Sequence, residues 1–301
     1  MHCMQKGDEK IKRHFSFREC GAYVMFALLV AVGLVVMLSP IIKQEMELRS
    51  GALEYISLKQ TVQGESQTAV TPSSQLPAAT VPVVLPTLAE TVPYVESSKD
   101  LPYSHETPAE EIDFQSCLDI NPDFVGWLRL PGTSIDYPVV QSDRVEHYLT
   151  HTFYGEKNKV GTLFTLGKTD LVTPSQNIAI YGHHMRRTRA QTMFEPLHNF
   201  KKGGFVEQAP VIYFDTLYQK GVYTIFAACN MRSTEWDASM TSFSDPVAFM
   251  RYVEMIKSRS FFDVEVEVTA ADQLLTLITC DRNYDSDDGR LIVLAVKKQK
   301  E

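Results

Sequence analysis

Residues 22–42 (AYVMFALLVAVGLVVMLSPII) form an apolar run without a charged side chain. At about 1.5 Å per residue, such a helix spans roughly 30 Å, the thickness of a bilayer's hydrocarbon core. Several Lys and Arg residues precede the run, so residues 1–21 are predicted to be cytoplasmic and the rest of the chain exported. The alternative is a cleaved signal peptide, but no small-x-small cleavage site follows in LSPIIKQ. We therefore predict an uncleaved single-pass membrane anchor over residues 22–42.

Residues 43–106 are predicted to connect this anchor to the rest of the chain. Residues 43–60 carry apolar side chains at a spacing that indicates a helix. Residues 61–100 are rich in Thr, Val, Pro, Ser and Ala, and their prolines exclude a helix or a central strand. We interpret this stretch as an extended, semi-rigid stalk.

Residues 107–301 have the pattern of a mainly β domain. Short β-branched and aromatic runs recur between turn signals, which favours a largely antiparallel sheet or barrel. The predicted strands are 124–130, 135–140, 160–166, 177–182, 210–214, 222–229, 264–268, 274–279 and 290–296. Helices are predicted over 110–120, 192–200 and 245–259, the last with Asp245 as its N-cap.

Charge and cysteine spacing exclude several function classes. A net charge of −8 argues against a nucleic-acid partner, which would need a basic face. The five cysteines show no CxxC or Cys/His metal spacing, and the acidic loop 283–289 lacks the glycine and glutamate positions of an EF-hand. We predict no metal and no cofactor.

Cys280 is the one cysteine that the pattern places in a reactive setting. It ends the apolar run LLTLITC, and Arg290 begins the next run after an acidic loop. If the two runs pair as a hairpin, a guanidinium stands near the sulfur, where it can favour a thiolate or stabilise an oxyanion. Cys117 and Cys229 are predicted to be buried apolar residues, and a disulfide between them remains open.

A nucleophilic cysteine also needs an acid/base partner. His183 follows NIAIYG, an apolar run ending in glycine, from which a side chain can emerge at a sheet edge. His184 should point the opposite way if the strand continues. The alternative is a solvated histidine doublet.

Five stretches of the chain, taken in order, resemble class B sortases from about residue 113 to residue 298. They are NPDFVGWLRLPGTSIDYPVVQ (121–141), YLTHTFYGEKNKVGTLF (148–164), NIAIYGHHM (177–185), MFEPLHNF (193–200) and TLITC…GRLIVLAV (276–296). The resemblance implies an eight-stranded β-barrel with peripheral helices and a membrane-anchored cysteine transpeptidase of Gram-positive bacteria.

This resemblance also implies roles for individual residues. Cys280 would be the nucleophile, His183 the acid/base and Arg290 the oxyanion residue, aided by the Asp281 backbone N–H. Leu149, Thr279 and Asp281 fall where the family lines its peptide groove. Ile278, where the family commonly has Ser, and TLGKTD (165–170), where it commonly has an Asp, depart from the pattern and bear on the substrate motif.

The implied partners are surface proteins with a C-terminal sorting signal, cleaved after Thr, and an amine acceptor of the cell wall. A pilin lysine is the alternative acceptor, since both reactions need the same three residues. From other classes, the alternatives are a membrane-tethered binding module with an inert Cys280 and a hydrolytic cysteine protease. Acceptor chemistry and thiol reactivity discriminate among them.

Overall fold

The computed structural model describes residues 17–63, 111–185 and 192–298. The predicted cytoplasmic residues 1–16 and most of the predicted stalk lie outside these ranges. The described chain forms a long helix α1 (Phe17–Val62), a short helix α2 (Phe114–Ile120) and a β-domain with three further α-helices and one 3₁₀ helix.

Eight strands make up the β-domain. They are β1 (Phe124–Arg129), β2 (Asp136–Gln141), β3 (Leu163–Thr165), β4 (Asn177–Tyr181), β5 (Val211–Thr216), β6 (Val222–Arg232), β7 (Gln273–Cys280) and β8 (Gly289–Lys297). They pair in the order β1-β2-β3-β4-β7-β8-β6-β5, and β5 pairs back with β1 to close a barrel. The predicted mainly β fold is confirmed.

The helices lie between and around these strands. They are α3 (Val145–Tyr148), the 3₁₀ helix Glu195–Lys201, α4 (Phe205–Gln208) and α5 (Pro246–Arg259). The predicted N-cap of α5 is confirmed, because the Asp245 carboxylate accepts a hydrogen bond from the Ala248 N–H at 2.8 Å. Phe249, Val253 and Ile256 of α5 pack on the outer face of the sheet.

Alternating Val and Glu made residues 264–268 resemble a strand, and that prediction is wrong. The segment joins no strand in the described structure, and its Val266 N–H donates to the Val264 carbonyl at 2.9 Å, within a tight local turn. Val264 packs on the barrel core and Val268 lies in the layer under α5, while Glu265 and Glu267 face solvent. The alternation therefore reflects a segment lying across two apolar layers rather than a sheet register.

Helix α1 continues from its apolar half into the folded domain. Leu48, Leu58 and Val62 are fully buried or nearly so against the barrel. The Tyr55 hydroxyl donates to the Gly161 carbonyl at 2.7 Å, and Asn158 donates to the Glu47 carbonyl at 2.9 Å. One face of residues 47–62 thus packs on the domain, and a soluble segment starting after them would lose these contacts.

Candidate active site

Three strand termini meet at one edge of the barrel. Strands β4 and β7 are parallel, so their carboxyl ends lie together, with Tyr181 in register with Ile278. The ladder ends there, and the next residue, Gly182, still donates its N–H to the Ile278 carbonyl, so the His183 backbone leaves β4 at the edge where β7 ends in Cys280. Cys280 is also the register partner of Arg290 in the antiparallel pair β7–β8. The fold therefore brings the three predicted catalytic positions to the same edge.

Hydrogen bonds extend the β4–β7 pairing up to the histidine. The Gly182 N–H donates to the Ile278 carbonyl at 3.1 Å, and the Thr279 hydroxyl donates to the Gly182 carbonyl at 2.8 Å. Thr279 is almost completely buried. Its contact fixes the backbone immediately before His183, which is a structural role; its predicted place in the peptide groove remains a prediction.

The His183 imidazole is oriented by the backbone. Its Nε2 lies 2.7 Å from the Leu149 carbonyl oxygen, and a carbonyl only accepts, so Nε2 carries a hydrogen. Burial lowers the pKa of His183, although the Leu149 hydrogen bond acts in the opposite direction. Gly161 allows this close packing, since a Cβ there would lie 3.1 Å from the His183 ring. Nδ1 is therefore the nitrogen left for proton transfer.

Leu149 thus contributes its backbone to the site. Its side chain packs partly against the barrel core, and the predicted contact with a peptide substrate remains a prediction. The structure adds an orienting role for the Leu149 carbonyl, which no side-chain pattern could have revealed.

Cys280 differs from the other two cysteines of the β-domain. All three are free thiols, so the structure does not join Cys117 to Cys229. Cys117 and Cys229 are fully buried, and burial raises the pKa of each to about 12. Cys280 is partly exposed at its strand end. It is the accessible thiol of the described domain.

Arg290 and Asp281 flank the cysteine from opposite ends of the acidic loop. Arg290 donates one Nη1 hydrogen bond to the Gly289 carbonyl at 2.9 Å, which leaves further donors on its guanidinium. The Asp281 N–H donates to the same carbonyl at 2.8 Å. In this structure that N–H is occupied, contrary to the expected oxyanion role, because it closes the β7–β8 turn.

The Asp281 side chain points into the protein rather than toward a groove. Its carboxylate is fully buried in an ion pair with Lys201. Burial alone would raise the pKa of Asp281, but the hydrogen bond and charge of Lys201, with His198, outweigh it and lower the pKa. Its predicted contact with substrate remains a prediction.

A polar cluster lies directly behind the Cys280 peptide. His184 Nδ1 lies 3.1 Å from the Cys280 carbonyl oxygen and therefore donates to it, and Nε2 lies 3.0 Å from a Glu195 carboxylate oxygen. The His184 ring stacks on His198 with centroids 3.7 Å apart. The His184 side chain is 7% exposed, so the histidine doublet is not solvated. This cluster was not predicted, because the sequence pattern of residues 192–200 indicates only a helix.

The protonation of His198 should make the folded state sensitive to acid. Burial, followed by the charges of His184 and Lys201, lowers the pKa of His198 to about 4. Below about pH 6.5 the unfolded chain takes up a proton that the folded chain resists until about pH 4, so stability falls through this window. After allowance for partial exposure, we expect a loss of about 1–2 kcal/mol between pH 7 and 5.

Urea unfolding of residues 43–301 at both pH values measures this loss. His198→Phe keeps a ring against His184 but cannot titrate, so its stability should fall by less. Equal losses in both proteins would refute the assignment.

Comparison with known proteins decides the family. The sequence model of the Sortase domain matches residues 128–298. The chain belongs to the sortase family. Its similarity to sortase B of Staphylococcus aureus is 32% identity over 182 residues, covering 60% of this chain and 73% of that relative. Sortase B of Listeria monocytogenes is 29% identical over 177 residues, covering 58% and 69%.

Solved sortase structures share the fold. A Staphylococcus aureus sortase B–substrate complex superposes with a TM-score of 0.57 at 31% identity, covering 63% of this chain and 86% of that chain. A Clostridium perfringens sortase B gives 0.56 at 30% identity, covering 62% and 100%. A sortase B complexed with triglycine gives 0.57 at 31% identity, covering 63% and 86%. This sortase is accordingly a class B transpeptidase.

Proposed function

We propose that this sortase cleaves a C-terminal sorting signal after its threonine and transfers the acyl group to a cell-wall amine. The observation that carries the proposal is the meeting of Cys280, Arg290 and the His183 backbone at one barrel edge, with Cys280 as the accessible thiol. Related sortase B proteins have been solved with a substrate and with triglycine, an amine-bearing peptide.

Acylation assigns one task to each of the three residues. The Cys280 thiolate attacks the threonyl carbonyl carbon, and the oxygen that becomes negative is stabilised by Arg290. His183 donates the proton on Nδ1 to the leaving amide nitrogen, because its Nε2–H is held by Leu149. The C–N bond breaks, leaving a thioester on Cys280 and a free amine on the released peptide.

Transfer to the acceptor reverses the proton movement. Neutral His183 accepts a proton from the incoming amine as its nitrogen attacks the thioester. The new amide forms and the Cys280 thiolate leaves. No step requires a cofactor, since His183 gives up one proton during acylation and regains one from the acceptor amine.

We further propose that the enzyme is anchored in the cell membrane with its catalytic domain outside the cell. Helix α1 is long and apolar enough to cross a bilayer. Large apolar side chains on it, such as Leu29, Val35 and Met37, are at least 66% exposed and touch no other part of the described domain. Lipid is the environment that covers such a surface.

Intact-mass spectrometry of the full-length enzyme in detergent tests the reaction. The enzyme is incubated with NPxTx-, SPxTx- and LPxTG-type peptides, alone, with triglycine, or with a lysine-bearing peptide. We expect a covalent adduct on the enzyme that discharges faster when an amine is present. Discharge by the lysine peptide in preference to triglycine would favour a pilin acceptor.

Two outcomes would contradict the proposal. Release of free acid at the same rate with and without amine indicates a hydrolytic protease. The absence of an adduct from every peptide, together with a Cys280 thiol inert to alkylation, indicates a binding module.

A further inference from the structure

We infer that α1 fixes the height of the catalytic domain above the membrane, and that residues 64–110 contribute nothing to that height. The inference rests on the proposed membrane anchor. The sequence predicted a stalk that holds the domain away from the membrane. We infer instead that the domain surface around Glu47 and Lys159 faces the lipid.

One observation is that α1 does not end where its apolar half ends. The helix runs to Val62, well past Ile42, the last residue of the uncharged run. Pro40, the residue that could kink it, lies before that boundary. A helix rises by about 1.5 Å per residue, so Glu47 stands about 8 Å and Tyr55 about 20 Å above the boundary. A tilt of about 20° lowers these heights by less than a tenth.

Close contacts attach the domain along this length of helix. Lys159 pairs with Glu47 at 3.7 Å, and the backbone of Gly51 packs against Asn158 and Val160 so tightly that a Cβ would lie 2.9 Å from either side chain. The Asn158–Val160 segment therefore lies about 8–14 Å above the hydrocarbon boundary, at the outer edge of the lipid headgroups.

The same contacts place the candidate active site. The Tyr55 hydroxyl bonds to Gly161, whose backbone packs on the His183 ring. His183 is therefore held between the levels of Gly51 and Tyr55, about 14–20 Å above the boundary. A substrate must come this close to the membrane to react, so the site suits donors and acceptors that are themselves tethered to the membrane.

The residues on either side of segment 64–110 show why this segment does not increase the height of the domain above the membrane. Gln63 forms an isolated antiparallel bridge with Ile112, and the Asp113 N–H donates to the Val62 carbonyl at 2.7 Å. The chain leaves the domain and rejoins it at one place. Whatever path the intervening residues take, the domain stays attached to α1.

Energy transfer to acceptor-labelled headgroups in vesicles measures the heights directly. The donor is attached to Lys159→Cys, near Glu47, or to Lys220→Cys, which lines the same surface groove as Gln63. Both labels use the full chain with Cys3→Ser, Cys20→Ser and Cys280→Ala, so the readout does not depend on catalysis. Glu47 and Gln63, which mark the heights of the two labels, are separated by about 24 Å along the helix. The dye pair is chosen so that its transfer efficiency changes steeply over that distance.

We expect much stronger transfer from position 159 than from position 220. Replacing residues 65–109 with a short Gly/Ser turn should change neither value. A flexible 20-residue Gly/Ser insert after Lys43 should reduce transfer from position 159 and abolish the difference between the labels.

Two glycines of α1 provide a matched pair of variants. Gly51→Leu should detach the helix and reduce the difference between the labels, because its side chain enters the Asn158–Val160 contact. Gly33→Leu should leave the difference intact, since nothing lies within 4 Å of a Cβ there.

Equal transfer from both labels in the native chain, or a change caused by shortening residues 65–109, would overturn the inference. A chain that fails to float with vesicles would overturn the membrane anchor and this inference together, while the transpeptidase proposal would stand on the peptide assay.

Discussion

Cys280→Ala should abolish acyl transfer. Removing the nucleophile of a hydrolytic or acyl-transfer site typically costs about 10⁴–10⁶-fold in rate. We expect the loss here to be complete within detection, because no other accessible thiol in the described domain can take over. The measurement is product formation and the enzyme adduct in the intact-mass assay.

Cys229→Ala is the matched control. Cys229 sits in the buried layer under α5, where burial raises the pKa of its thiol to about 12. This variant should keep its adduct and its rate within about threefold, with at most a modest loss of stability from the small cavity. Alkylation near neutral pH should modify Cys280 first. An adduct that persists in Cys280→Ala, or one lost only in Cys229→Ala, would contradict the assignment.

His183→Gln should reduce acylation by about 10²–10⁴-fold, the range expected for loss of a general acid. Glutamine can still donate a hydrogen bond toward the Leu149 carbonyl, so the site keeps much of its packing. It cannot transfer a proton to the leaving amine. Single-turnover acylation rates measured by rapid quench compare the two enzymes.

The leaving group separates proton transfer from positioning. A peptide ester with an acidic alcohol leaves without protonation, so the His183→Gln defect should shrink severalfold or more with that substrate. His184→Asn is the neighbouring control, since its amide can donate to the Cys280 carbonyl as His184 Nδ1 does. It should lose far less than His183→Gln. An equal loss for amide and ester would show that His183 only positions other groups.

The fold could be predicted from the sequence where the signals come from neighbouring residues. Short β-branched and aromatic runs between turn signals predicted nine strands, of which eight form, and Asp245 followed by Pro246 marked the start of α5. The three predicted catalytic positions could be singled out because each lies at or next to the end or start of an apolar run. The ends of strands can be predicted from the local sequence pattern, and these positions lie at or beside strand ends.

Contacts between distant segments could not be predicted in this way. The packing of the anchor helix on the domain could not be predicted, because the contacts of Glu47 and Tyr55 lie about a hundred positions further along the chain. No role could be predicted for His184, because its partners, Glu195 and the Cys280 carbonyl, come from another helix and another strand. Residues 264–268 show the apolar–polar alternation of a strand, but the alternation arises because the segment lies across two apolar layers.

The parallel pairing of β4 with β7 has a consequence for when the chain acquires activity during folding. The contact between Gly182 and Thr279 joins residues 97 positions apart. Contacts of such separation close large loops and form slowly. The histidine and the thiol therefore become neighbours only after β5, β6 and α5 have emerged and packed. Under the proposed roles, a chain that is still folding carries Cys280 without its proton donor, so we expect reactivity toward peptides to appear only when the barrel has formed.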